Sequence, residues 1–171
     1  MKIAIVYATK SGTVKECADI LKKNLKNHEV TLFDLKTDSP NLADFDLTVF
    51  GFSIIMGKPV SVFRKYLKEN YKTLLSINAA YYICCGFIDC FEEYIEKAIP
   101  KELRDAAVAT SCFGGSLEPD RFKGIDKLIV KAVRSDILGG GDNGDQRKDM
   151  CLPTILETNI VQFAKSITES A

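Results

Sequence analysis

The first fourteen residues constrain this chain most, because an apolar run of strand length meets a polar loop and then a helical pattern. The apolar run covers residues 3–7, and the loop that follows is rich in hydroxyl groups and contains Gly12. Apolar residues then recur at helical spacing, at Val14, Cys17, Ala18, Leu21 and Leu25. The first N–H groups of a helix have no intrahelical partner, and the helix dipole favours negative charge there. The stretch therefore predicts an anion site at a helix N-terminus.

The loop offers several groups that suit a phosphate. Its hydroxyl side chains can donate hydrogen bonds, and Gly12 lets the backbone approach a ligand closely. Lys10 either adds positive charge beside the phosphate or lies in solvent, and the sequence favours neither interpretation. We expect the loop to hold the phosphate of a nucleotide-like cofactor through Thr9, Lys10, Ser11, Gly12, Thr13 and Val14.

Length and charge narrow the class of protein. A chain of 171 residues can bury one sizeable core, so we expect a single domain over residues 1–171. The formal net charge is zero, which gives no basic field for nucleic acid. No apolar run reaches the roughly 20 residues of a membrane span, so we expect no transmembrane segment. The N-terminal run leads into a loop rather than a cleavage site, and we expect a cytoplasmic protein.

The cysteines and the histidine give no sign of a metal site. The six cysteines form no CxxC pair, and His28, the one histidine, has no companion at ligand spacing. Cys84, Cys85 and Cys112 lie in strand-like runs, where a free thiol behaves as a small hydrophobe. We therefore expect no metal ligands and reduced thiols.

Strand-like and helical patterns alternate along the chain. Five strands are predicted, at residues 3–7, 29–35, 47–52, 78–85 and 106–113. Helical patterns follow them, with starts at Pro59 and Pro153, a short helix over residues 91–98 and another after Phe122. Residues 53–58, 86–89 and 136–149 are predicted loops. This alternation predicts one doubly wound α/β domain, with a ligand outside the carboxyl ends of the strands.

The cofactor class follows from what the first loop contains. It has no GxGxxG sequence, which counts against a dinucleotide, and no GxxxxGK[ST] sequence for a nucleoside triphosphate. Two strand orders stay open on these grounds, the Rossmann order and the order 2-1-3-4-5. A hydroxyl-rich loop at a helix start suits a mononucleotide better.

A family resemblance starts at this loop. The segment Tyr7-Ala8-Thr9-Lys10-Ser11-Gly12-Thr13-Val14 resembles the FMN-phosphate loop of flavodoxins, which typically reads T/S-x-T-G-x-T. Val14 departs from the usual final threonine, so a backbone N–H is expected there instead of a hydroxyl. The resemblance implies FMN as cofactor. It also implies a flavodoxin-like doubly wound sheet of five parallel strands in the order 2-1-3-4-5, with helices on both faces.

Later segments are similar to flavodoxin-like protoporphyrinogen oxidases of the menaquinone-dependent kind. Residues 51–57 resemble their G-A-S-I-x-x-G motif after the third strand, and residues 139–148 resemble their G-G-x-T-D-x-R-K stretch. Residues 113–117 and the helix after them resemble the extra segment of that group. The resemblance implies a redox protein that oxidises protoporphyrinogen or reduces a quinone-like acceptor. A simple flavodoxin-type electron carrier and a binding module without flavin remain alternatives, although carriers are usually acidic.

In flavodoxin-like proteins the isoalloxazine ring lies between the loops after the third and fourth strands. The resemblance implies these cofactor-binding residues: Ser53, Ile54, Ile55, Met56, Gly57, Lys58, Gly86, Phe87, Ile88 and Asp89. Phe87, Ile54 and Met56 are candidates to flank the ring, or Phe87 and Met56 fill core space instead. Neither loop contains tyrosine or tryptophan. No side chain presents itself as an acid, base or nucleophile, so no catalytic residue is assigned.

Two further features leave alternatives open. A peptide before glycine can rotate cheaply, so the Met56–Gly57 carbonyl could turn toward the flavin N5, or Gly57 is a plain turn residue. Basic residues cluster after the fifth strand, at Arg121, Lys123, Lys127, Lys131 and Arg134. They form a solvated helix face, or a docking surface for an acidic partner, porphyrin propionates or anionic lipid at a peripheral membrane contact.

Overall fold

The computed structural model describes residues 1–138 and 152–169. Its strands are β1 (Lys2–Ala8), β2 (Glu29–Asp34), β3 (Leu47–Ile55), β4 (Lys58–Pro59), β5 (Ala79–Cys84) and β6 (Thr110–Cys112). Its α-helices are α1 (Thr13–Asn24), α2 (Ser61–Leu74), α3 (Phe91–Ala98), α4 (Lys101–Asp105), α5 (Gly124–Leu138) and α6 (Glu157–Glu169). Short 3-10 turns lie at Leu42–Asp44, Ile88–Cys90 and Pro119–Arg121.

Five strands form one parallel sheet in the order β2-β1-β3-β5-β6. The two-residue strand β4 lies off this path and pairs antiparallel with the end of β3. With β4 set aside, this is the order 2-1-3-4-5 expected from the resemblance. The flavodoxin-like fold class is therefore confirmed, and the Rossmann order is excluded.

Helices cover both faces of the sheet, and a hydrophobic cluster fills each interface. Phe50, Phe52 and Phe63 pack on the face that α2, α3 and α4 cover. Tyr82 and Phe163 belong to the cluster beneath α1 and α6. Because β5 is buried on both faces along its whole length, its sequence is continuously apolar rather than alternating.

The end of β3 differs from the expected boundary. Residues 53–55 belong to this strand rather than to a loop, because the chain reverses at Met56 and Gly57 and pairs Lys58 with Ile55. Pro59 pairs in the edge strand β4, where a missing N–H is tolerated, so α2 begins at Ser61 instead of Pro59.

The fifth predicted strand is shorter than its apolar run. Helix α4, which was not predicted, ends at Asp105, and regular strand structure begins only at Thr110. The last helix begins at Glu157 rather than Pro153, because Ile155 forms an antiparallel bridge with Gly114.

The loop predicted at residues 136–149 is described only in part. Residues 136–138 belong to α5, and the stretch from 139 onward lies outside the described residues, together with the motif at 139–148. Among the helices within residues 1–138 and 152–169, none has the length and apolar character that crossing a bilayer requires.

Candidate functional site

A cleft of about 850 Å3, counting space open to solvent, lies at the carboxyl ends of the central strands. The loop after β1, the hairpin after β3 and the loop after β5 line it, as the fold class predicts for a ligand site. The expected site residues that line it are Ser11, Thr13, Ser53, Ile54, Ile55, Met56, Gly57, Gly86 and Phe87. The remaining expected residues lie near the cleft without lining it: Thr9, Lys10, Gly12, Val14, Lys58, Ile88 and Asp89.

The loop before α1 is fixed in shape by its own hydrogen bonds. The Gly12 N–H donates to Thr9 Oγ1 at 2.9 Å, and Gly12 adopts the left-handed conformation with φ +85°. Ser11 Oγ and Thr13 Oγ1 lie 3.0 Å apart, and both residues line the cleft. Gly12 is the N-cap of α1 and offers no side chain to the first-turn N–H groups. The loop thus presents hydroxyls and backbone donors together, as an anion requires.

Val14 and Lys10 point away from this cradle. The Val14 side chain is fully buried in the core beneath α1, which explains why an apolar residue occupies this position. The carbonyl oxygen of Val14 accepts a hydrogen bond from the Tyr82 hydroxyl at 3.0 Å. Lys10 Nζ lies 2.7 Å from Asp126 Oδ2 on α5, so its charge is already paired at the rim of the cleft.

The hairpin after β3 has an unusual backbone. Met56 has φ +52° and Gly57 has φ +71°, and positive φ at both central residues is the pattern of a type I′ turn. Left-handed conformation is uncommon for a methionine. The Met56 side chain is 76% exposed, so it lies at the mouth of the cleft rather than in the core.

Ser53 brings an unpaired polar atom to the same cleft. The residue is buried, and within the described residues its Oγ has no hydrogen-bond partner. Buried hydroxyls are nearly always satisfied, so an orphan that lines a cleft suits a ligand with a complementary polar edge.

Two aromatic side chains line the cleft near the loop after β5: Phe87, which was expected, and Tyr94, which was not. Phe87 lines the cleft, whereas Ile88 and Asp89 lie in the 3-10 turn that follows. Tyr94, on α3, also lines the cleft, next to Gly57. Burial raises the pKa of Tyr94 to about 12, with a smaller contribution from the neighbouring Cys90. The Tyr94 hydroxyl is therefore neutral at ordinary pH. Tyr94 shares a helix face with Phe91 and Ile95, whereas the family resemblance implied only loop residues around the ring.

The outer wall of the cleft comes from the segment after β6, none of which was among the expected cofactor-binding residues. Its lining residues are Gly115, Ser116, Leu117, Phe122, Ile129, Val130 and Val133. The sequence predicts that Ile125 and Leu128 share one apolar stripe with Ile129 and Val133. In the structure Ile125 and Leu128 face outward and are 72% and 65% exposed.

The basic cluster on this segment is partly engaged within the protein. Arg121 Nη1 lies 2.7 Å from Glu16 Oε2, Lys127 pairs with Asp120, and Arg134 donates to the Leu117 carbonyl. These contacts favour the structural interpretation for three of the five cations, while Lys123 and Lys131 have no carboxylate partner within the described residues.

The lining of the cleft carries no charged side chain among the described residues, so its interior is apolar with a few hydroxyls and backbone groups. Cys84 and Cys85 lie at its base with Sγ atoms 3.6 Å from those of Cys17 and Cys112, respectively. Hydrogen bonding to Cys17 and burial raise the pKa of Cys84, which keeps this thiol neutral. Within the described residues no group of three or more His, Cys, Asp or Glu side chains could hold a metal ion.

Comparison with known proteins decides the family. The family model described as "Flavodoxin domain" matches residues 4–143 of this chain. The chain belongs to the flavodoxin domain family. The resemblance seen in the first loop is thereby confirmed, and family membership supports FMN as the cofactor and a redox role.

Individual proteins agree with this assignment. The chain is 24% identical over 164 residues to the protein named "Protoporphyrinogen IX dehydrogenase [quinone]" from Escherichia coli (strain K12), covering 88% of this chain and 86% of that protein. A short-chain flavodoxin associated with a bacterial microcompartment has a TM-score of 0.55 at 18% identity, covering 100% of this chain and 99% of that one. The flavodoxin of Streptococcus pneumonia TIGR4 has a TM-score of 0.54 at 13% identity, covering 100% of both chains. At these identities the solved structures show a shared fold.

Proposed function

We propose that this chain binds FMN in the cleft and works as a redox protein through the bound flavin. One observation carries the proposal: a cradle of hydroxyls at the N-terminus of α1 opens directly into an apolar cleft between two loops. The phosphate of FMN needs the first feature, and its flat ring needs the second. The cofactor supplies the electron transfer, and the protein supplies position and electrostatics.

The phosphate would be held by Ser11, Thr13 and the first-turn N–H groups of α1. Gly12 is suited to this turn by its backbone conformation, because a φ of +85° is unfavourable for other residues, whereas an ideal Cβ there would meet nothing within 4 Å. Thr9 contributes indirectly, since its hydroxyl accepts the Gly12 N–H and fixes the loop. Val14 contributes its backbone rather than its buried side chain.

The flavin ring would lie between the hairpin after β3 and the loop after β5, with Phe87 and Tyr94 as aromatic neighbours. The unpaired Ser53 hydroxyl is suited to bond a polar atom of the ring system. Lys58, Ile88 and Asp89 would act from the rim, since they do not line the cleft.

For the reaction, we propose an FMN enzyme that oxidises protoporphyrinogen or reduces a quinone-like acceptor. The 24% identity to the Escherichia coli protein, over 88% of this chain, supports this. The segment after β6 supports it too, because its sequence resembles the extra segment of that oxidase group. A flavodoxin-type carrier that passes electrons to a partner protein is the second candidate, and family membership favours it.

Flavin binding is tested by titrating the purified protein with FMN and following the flavin absorbance and fluorescence. A yellow protein, or saturable binding of added FMN, is expected. A colourless protein that binds no added FMN would exclude both candidates.

Turnover separates the two candidates. The FMN-loaded protein is mixed with protoporphyrinogen and menadione, and porphyrin fluorescence is followed against a sample without protein. Catalytic turnover supports the enzyme, whereas reduction and reoxidation of the flavin without turnover supports the carrier.

A further inference from the structure

Helix α5 contributes an apolar wall to the cleft without being fixed there by apolar burial alone. Ile129, Val130 and Val133 face the cleft, while Ile125 and Leu128, which adjoin them on the same helix, are exposed. Because the hydrophobic effect has no direction, apolar burial alone would tolerate a rotation of α5 that turns Ile125 and Leu128 toward the cleft. A directional contact is needed to select the face that lines the cleft.

The Lys10–Asp126 ion pair supplies that contact. Lys10 Nζ lies 2.7 Å from Asp126 Oδ2, and the two side chains are 43% and 21% exposed, respectively. Lys10 belongs to the loop before α1, and Asp126 lies in the first turn of α5. The pair therefore joins two walls of the same cleft that are 116 positions apart in the chain.

A second ion pair also joins this segment to the α1 side of the cleft. Arg121 Nη1, just before α5, lies 2.7 Å from Glu16 Oε2 on α1. By contrast, Lys127 and Asp120 pair within the segment itself and do not reach the loop. The segment is thus attached to the α1 side of the cleft at two points.

We propose that Asp126 is a positioning residue that acts through Lys10 to hold α5 over the flavin. The inference rests on the proposed function, since it concerns the retention of the same cofactor. With the pair intact, the inward face of α5 closes on the ring and slows its release. Lys10 then serves as a link between the phosphate loop and the cover, rather than as a free counter-charge.

The test measures the dissociation rate of riboflavin, which has the ring of FMN but no phosphate. With riboflavin, any direct attraction between Lys10 and a phosphate group cannot contribute to the measured release rate. The variants are Asp126→Asn, Lys10→Met and the double variant, with Asp120→Asn as matched control. Asp120 lies in the same segment, its side chain is 93% exposed, and it does not touch the loop. Lys10→Met breaks the pair without altering the charge at the N-terminus of α5.

Asp126→Asn and Lys10→Met are each expected to speed riboflavin release about 2- to 5-fold, as suits one partly exposed ion pair. The double variant should release it no faster than either single variant, because both remove the same interaction. Asp120→Asn should behave as wild type. The charge-reversed pair Lys10→Asp with Asp126→Lys should recover part of the slow release, because a lysine in the first turn of α5 opposes the helix dipole.

Hydrogen–deuterium exchange of the flavin-free protein gives a second readout. Faster exchange of amides 124–138 in both single variants, with unchanged exchange in β1 and β3, supports the proposal. Unchanged riboflavin release together with unchanged exchange in Asp126→Asn would overturn this inference. Additive effects on release in the double variant would overturn it too, and neither result would touch the proposed function. A wild-type protein that binds neither FMN nor riboflavin would overturn the proposed function, and this inference with it.

Discussion

The Tyr82 hydroxyl on β5 donates a hydrogen bond to the carbonyl oxygen of Val14, at 3.0 Å, in the first turn of α1. Its phenol ring occupies the space beside Gly51 on β3, where an ideal Cβ would lie 2.0 Å from the ring carbon Cζ. A glycine on one central strand therefore admits a tyrosine from the next, and that tyrosine fixes the helix that presents the phosphate loop. The position of the loop depends on a residue 68 positions away.

Tyr82→Phe should lower the free energy of unfolding by about 1 kcal/mol, since it removes this buried hydrogen bond. Tyr81 provides a matched control on the same strand, because within the described residues its hydroxyl is buried and has no partner. Tyr81→Phe should leave the free energy of unfolding unchanged or raise it. Urea denaturation of the two variants and wild type checks this, and equal losses would contradict it.

The same tyrosines predict a loss of stability in alkali. Burial raises the pKa of both Tyr81 and Tyr82 above the ordinary value of 10.0. Above about pH 10 the unfolded chain releases these protons while the folded chain keeps them, so the free energy of unfolding falls as pH rises. Urea midpoints at pH 9, 10 and 11 should fall less steeply in Tyr81→Phe than in wild type. If the urea midpoint falls equally with pH in Tyr81→Phe and in wild type, Tyr81 does not contribute to the loss of stability.

Local patterns were enough to predict the core of this fold. The apolar run of β1, the hydroxyls of the loop and the helical stripe from Val14 to Leu25 are adjacent in the chain, so sequence reveals them directly. The strand order followed from the family resemblance rather than from the residues alone. The ends of the strands were harder to predict from sequence. The strand predicted over residues 106–113 covers only the three residues Thr110–Cys112 in the structure.

The cover over the cleft could not be predicted in the same way. The stripe on α5 groups Ile125 and Leu128 with Ile129 and Val133, and periodicity alone does not say which of them faces inward. That choice depends on contacts with the loop at Lys10, far away in sequence. Tyr94 was missed for a related reason, because it reaches the cleft from a helix.

Thr13→Val should weaken FMN binding by about 1–3 kcal/mol, the usual loss for a hydrogen bond to a charged group. The substitution keeps the shape of the side chain and removes a hydroxyl that lies 3.0 Å from Ser11 Oγ at the cleft. Affinity for riboflavin should stay unchanged, because riboflavin has no phosphate.

Fluorescence titration of both flavins checks this prediction. Thr168→Val on α6 is the control, since its hydroxyl bonds backbone carbonyls within that helix. If Thr13→Val lowers the affinity for FMN and for riboflavin equally, Thr13 does not bind the phosphate.

Ser53→Ala should have opposite effects on the flavin-free and the flavin-bound protein. Removing an unpaired buried hydroxyl should leave the free energy of unfolding of the flavin-free protein unchanged or raise it. If that hydroxyl bonds the flavin, affinity for FMN and for riboflavin should both fall about 3- to 10-fold. Thermal denaturation and fluorescence titration give the two quantities, with Ser166→Ala on α6 as control. Unchanged flavin affinity would remove Ser53 from the site.

Gly57→Ala tests whether the Met56–Gly57 peptide responds to the redox state of the flavin. Gly57 has φ +71°, and the nearest atom to an added Cβ is Tyr94 Cε1 at 3.9 Å, so alanine fits in space but is strained in its backbone. If this peptide turns its carbonyl toward the flavin N5 on reduction, alanine should hinder the turn. Reductive titration should then yield less one-electron-reduced flavin than wild type.

Gly124→Ala is the matched control, because Gly124 also has positive φ, at +56°, and open space around it, but lies outside the cleft lining. Both variants should lose about 1 kcal/mol of stability from backbone strain. The yield of one-electron-reduced flavin should fall only in Gly57→Ala. An unchanged yield in that variant would leave Gly57 with the simpler role of closing the type I′ turn after β3.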